Sequence, residues 1–74
     1  MAAAYHARVI ALGIDPGTAT CGFGVISLVD GRLQLVDAGV IRTPVDETDA
    51  SRLRQLHVAL AALIAEHRPE RVGV

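Results

Sequence analysis

The stretch at residues 8–15 limits the fold more than any other part of the chain. Val9, Ala11 and Gly13 alternate there with Ile10, Leu12 and Ile14, so a strand over these residues is apolar on both sides. Such a strand belongs in the middle of a sheet with a covering layer on each face. It ends on a carboxylate. Asp15 precedes Pro16, and a residue before proline is pushed into extended geometry, which places Asp15 at the last extended position. Pro16-Gly17 fits a tight turn in which proline presets φ at the first corner and Gly17 takes the positive φ of a type II second corner. A turn or helix-cap aspartate is the structural alternative to a functional one.

The rest of the chain supplies little else of that kind. At 74 residues it makes at most one domain, and chains this short bury only about 60% of the surface they expose when unfolded. Stability is therefore expected to be marginal. Tyr5 and Phe23 are the only aromatics although 51% of residues are hydrophobic, so the core has to come from Val, Leu, Ile and Ala. Cys21 is alone, which removes internal disulfides and cysteine-paired zinc frameworks and points to a reducing compartment. Residues 1–8 lack a signal-peptide layout, and no apolar run reaches the roughly 20 residues of a bilayer span. A cytoplasmic protein without a membrane partner is expected. The net charge of −1 gives no cationic footprint for nucleic acid in these residues alone.

Two further strands follow, at residues 21–29 and 32–41. They are joined by Asp30-Gly31, a strong signal for a two-residue hairpin turn. Gly22 and Gly24 leave two readings open: space beside Asp15 for a backbone or a bulky ligand, or a local bulge. Residues 43–51 read as a loop, with Thr48, Asp49 and Ser51 all able to cap the helix that follows. Leu53, Leu56, His57, Leu60, Leu63, Ile64 and His67 recur at spacings of three and four, an amphipathic helix with His57 on its packed face. His67 falls in the last turn, where a cation suits the dipole. Pro69 ends the helix by Arg68, and residues 71–74 begin another strand. A right-handed crossover would lay that strand parallel to an earlier one. The order is β-β-β-α-β, an α/β arrangement with too few layers for a strand that is apolar on both sides, so the chain reads as the front part of a larger domain.

The pattern Gly13-Ile14-Asp15-Pro16-Gly17, then Gly22-Phe23-Gly24-Val25-Ile26, closely resembles the opening of the RuvC Holliday junction resolvases. Arg52-Leu53 at the helix start and Pro69-Glu70 before the last strand fit the same pattern, so the resemblance runs from Val9 onward. It implies a ribonuclease-H-like mixed sheet, with residues 1–7 as an N-terminal extension and residues 8–74 as the N-terminal part of one nuclease domain. The implied activity is endonucleolytic resolution of four-way junction DNA in recombination and repair by a homodimer, with the branch-migration proteins RuvA and RuvB as partners. In that family four carboxylates hold two magnesium ions, for which manganese can substitute. One of them is the strand-end aspartate, here Asp15, as catalytic and metal-binding residue. The second, a glutamate closing the fourth strand, would come next after Val74, and two more acids lie on a later helix. With one of four ligands, this stretch alone is expected to be inactive. Gly17 and Thr18, in the turn beside Asp15, are the candidate DNA contacts.

The chemistry fits that implication. Two divalent ions about 3.5–4 Å apart stabilise the attacking water and the leaving oxygen of a phosphodiester, and oxygen ligands suit magnesium. Asp37 does not supply the second carboxylate. Counting from the hairpin turn places it opposite Gly24, two strands from Asp15 and roughly 10 Å away, where a structural or edge-protecting role is expected. Cys21 has no histidine partner and reads as a small buried residue. Three other readings compete: the phosphate-binding opening of an actin, Hsp70 and sugar-kinase class ATPase, which shares G-I-D-x-G-T; a YqgF-like nuclease, which usually has another residue where Pro16 stands; and a non-catalytic interaction module.

Overall fold

The computed structural model describes residues 8–17 and 19–74. Residues 1–7, read above as an extension, and Thr18, a candidate DNA contact, lie outside the described residues. The elements are β1 (Arg8–Pro16), β2 (Thr20–Val29), β3 (Arg32–Arg42), α1 (Asp49–His67) and β4 (Arg71–Gly73). This is the β-β-β-α-β order expected, in one mixed sheet with strand order β3-β2-β1-β4. β1 lies inside it, antiparallel to β2 and parallel to β4, as its two apolar sides require.

The β2–β3 hairpin turns at Asp30 and Gly31 with φ of 51° and 77°. Positive φ at both central residues is the turn whose twist matches the flanking strands, and aspartate and glycine tolerate it best. Val29 pairs with Arg32 and the count runs true to Ile26 opposite Leu35. A bulge then inserts Val36, and Val25 pairs with Asp37. The expected partner, Gly24, instead faces Ala38. The slip by one residue turns β3 over, because side chains alternate across a strand. Leu33 and Leu35 stay on the face away from α1, both 70% exposed, whereas Asp37 faces the helix.

Thr48 is the residue that caps α1. Its backbone is extended, and its Oγ1 accepts a hydrogen bond from the Ser51 amide at 3.2 Å. Ser51 Oγ donates to Glu47 Oε2 at 2.8 Å, and Gln55 Nε2 donates to the same oxygen. Arg52 Nε donates to Thr43 Oγ1 at 3.3 Å, tying the first turn to the end of β3. The helix stops at Arg68, a left-handed cap whose amide bonds the Ile64 carbonyl oxygen at 2.8 Å. The Glu70 amide then bonds the Ile10 carbonyl oxygen at 2.8 Å, which seats β4 beside β1.

Leu12 and Val25 form the centre of the core, paired across β1 and β2, with Cys21 and Ser27 buried on the same side of β2. Leu56, Ala59, Leu60, Leu63 and His67 are partly covered along the helix, with Ser51, Arg52 and Gln55 partly covered in its first turns. Leu53 and Ile64 remain 66% and 44% exposed, and His57 is exposed rather than packed. The difference follows from helix rotation. With the line through Leu56, Leu60 and Leu63 turned to the sheet, His57 lies about 100° away around the axis. Among the described residues, no helix is long and apolar enough to cross a membrane.

Candidate active site

Asp15 occupies the penultimate position of β1, opposite Gly22, and its residue is solvent-exposed. Pairing alternation puts it on the face away from α1, since Leu12 on the same strand is buried on the helix side. Two rows of residues define its surroundings. One runs Asp15–Gly22–Val40 across β1, β2 and β3; the other runs Gly73–Gly13–Gly24–Ala38 across all four strands. The second row presents one methyl group and three hydrogens to the open face.

The result is a clearing. A cleft of about 830 Å³ lies over it, with Asp15, Gly22, Gly24 and Gly73 among its walls. A Cβ added at Gly24 or Gly73 would meet nothing within 4 Å, and one at Gly22 would lie 3.9 Å from the Asp15 Cβ, ordinary contact. Neither Gly22 nor Gly24 marks a bulge, because the single irregularity of the β2–β3 pairing sits between Val25 and Ile26. Of the two readings of these glycines, the structure selects open space beside Asp15.

Gly17 is required for a different reason from the one expected. Its φ is not positive; the glycine with positive φ among the described residues is Gly31. The Gly17 amide donates to the Thr20 carbonyl oxygen at 2.8 Å, and a Cβ on Gly17 would stand 2.7 Å from that oxygen. Close backbone approach, not left-handed geometry, excludes a side chain there. The bond closes the chain between β1 and β2 two residues beyond Asp15.

Asp37 is removed from this site more firmly than strand counting suggested. It lies on the opposite face, its Oδ2 3.0 Å from His67 Nε2. Sequence reasoning kept Asp37 structural but missed this partner, because the inserted Val36 that turns Asp37 toward α1 leaves no mark in residue type. Cys21 is buried and free, with its Sγ directed at the Gly22 carbonyl oxygen at 3.9 Å. Among the described residues, Asp15 is the one acid at the clearing.

A family model for the crossover junction endodeoxyribonuclease RuvC matches residues 11–74. This chain belongs to the RuvC family. Curated relatives of that name include those of Heliobacterium modesticaldum, 46% identical over 66 residues, and Zymomonas mobilis, 47% identical over 66 residues. Each alignment takes in 89% of this chain, but 41% and 40% of the relative. The relative from Chloroflexus aurantiacus is 45% identical over 64 residues, 86% of this chain and 39% of its own. The chain therefore spans about two fifths of the length of these relatives. No solved structure matches it. RuvC membership accounts for the mixed sheet as part of a ribonuclease-H-like fold and sets aside the ATPase and YqgF-like readings.

Proposed function

We propose that the protein carrying this chain is a magnesium-dependent endonuclease that resolves four-way DNA junctions, with Asp15 as the first carboxylate of a two-metal site. The observation that carries the reading is the exposed carboxylate over a glycine-cleared face, the one acid there among the described residues, within a chain of the RuvC family. An exposed carboxylate with open space around it fits a hard, partly hydrated cation, which takes oxygen ligands and retains waters. Bound there, magnesium would supply Lewis-acid stabilisation of the phosphodiester oxygens and an activated water.

The chain's own residues do the positioning. Pro16 and the Gly17–Thr20 turn hold Asp15 at the strand end. Gly13, Gly22 and Gly24 keep side chains out of the volume that a DNA backbone must enter. Gly17 and Thr18, which follow Asp15 and Pro16 in the chain, are the proposed DNA contacts. The β1–β4 register bears on the second ligand. Leu12 pairs with Val72 and Gly13 with Gly73; the same register carried two residues further would bring a position following Val74 beside Asp15, on its face. The family's glutamate belongs at that point.

The whole protein is proposed to act as a homodimer, so that two such sites meet the two strands to be cut, with RuvA and RuvB as partners in branch migration. A chain holding one of four acids is proposed to be inactive alone. The test is cleavage by the full-length protein. A labelled four-way junction should be cut with magnesium or manganese, a linear duplex of the same sequence spared, and cutting should stop on chelation. Equal cutting of duplex and junction would contradict junction selectivity, and undiminished cutting in chelator would contradict the metal site.

A further inference from the structure

We propose that Asp37, Glu66 and His67 form a second cation site, of the zinc class, that ties the C-terminal end of α1 to β3. Two carboxylate oxygens converge on one nitrogen: Asp37 Oδ2 lies 3.0 Å and Glu66 Oε2 3.6 Å from His67 Nε2. That nitrogen carries at most one hydrogen, which can point at one oxygen only. A divalent ion in place of the proton would satisfy all three donors at once.

The geometry and the donor chemistry agree. The three donor atoms lie within 4.8 Å of one another. Tetrahedral zinc with bonds of about 2.0–2.2 Å spaces its ligands by roughly 3.3–3.5 Å, so the two observed separations bracket what such an ion requires. One imidazole with two carboxylates favours zinc, cobalt or manganese over magnesium, which prefers an all-oxygen shell. The imidazole is well enclosed, its side chain 13% exposed, while Glu66 at 68% leaves an entry path and a fourth position for water.

The place in the fold gives the site a purpose. No residue of α1 is fully buried, and the helix ends here before the chain turns back to lay β4 beside β1. A cation shared by helix and strand would convert binding energy into folding energy at that end. The trio lies on the helix face, opposite the Asp15 clearing, so the inference does not rest on the nuclease reading.

The test uses full-length Asp15→Asn protein in saturating magnesium, which takes one ligand from the nuclease site and keeps magnesium in competition for the acids that remain there. Zinc titrated calorimetrically should bind the folded protein, cobalt should give the visible absorption of a tetrahedral site, and zinc should raise the melting temperature. Glu66→Gln, on an exposed side chain and so without risk to folding, should weaken zinc binding by at least about tenfold and abolish the thermal shift, as should His67→Ala. Unchanged zinc affinity in both variants, or no zinc uptake by the folded parent, would overturn the site and leave an Asp37–His67 hydrogen bond.

Discussion

At the scale of single residues, glycines shape the neighbourhood of Asp15 by two different mechanisms, and substitutions separate them. Gly17 faces a backbone oxygen that cannot move independently: a Cβ would sit 2.7 Å from the Thr20 carbonyl oxygen. Gly17→Ala is expected to destabilise the folded protein by about 1–3 kcal/mol, the range of overpacked sites, read as a lowered melting temperature of the full-length protein. Gly24 faces nothing within 4 Å. Gly24→Val should therefore fold at least as well as the parent, with up to about 1 kcal/mol of added strand preference, while filling the clearing beside Asp15. Junction cleavage is expected to fall at undiminished thermal stability. Unimpaired cleavage by Gly24→Val would show that the substrate does not use this face.

At the scale of elements, α1 rests on its two ends more than on its flank. Its first turn is closed by the Thr48 hydroxyl and linked to β3 through Arg52 and Thr43. Thr48→Ala should cost about 1 kcal/mol, measurable by denaturant titration of the full-length protein; Ser at the same position should restore most of it. The elements themselves were legible in the sequence because local signals and packing agree: two-sided apolarity for β1, Asp30-Gly31 for the hairpin, and three-and-four spacing for α1. Where the reading failed, no residue type carries the information. The insertion of Val36 moved Asp37 from the expected place opposite Gly24 to one opposite Val25, and a helix rotation left His57 outside. Gly17 was right in identity but wrong in mechanism, since a glycine needed for positive φ and one needed for close approach look alike in sequence. Asp15 was legible as a strand-end carboxylate, and space beside it as one of two readings of Gly22 and Gly24; the pairing of Gly13 with Gly24 and Gly73 shows how far that space extends.

At the scale of the molecule, the two faces of the sheet differ in kind. The helix side holds the core of Leu12, Val25 and Cys21, and with it the Asp37–His67 contact. The other side carries the Asp15 clearing at one end and the exposed Ile26, Leu28, Leu33 and Leu35 toward the hairpin. Among the described residues the clearing on that second face holds one acid, and the central claim is that this acid is a metal ligand for junction cleavage. The most direct measurement compares Asp15→Asn with Asp37→Asn in the full-length protein, on a labelled four-way junction in magnesium. Asp15→Asn is expected to lose at least about 3 kcal/mol of barrier lowering, a fall in cleavage rate of a hundredfold or more, with junction binding kept. Asp37→Asn, on the opposite face, should still cleave. Parent-like cleavage by Asp15→Asn would contradict the account.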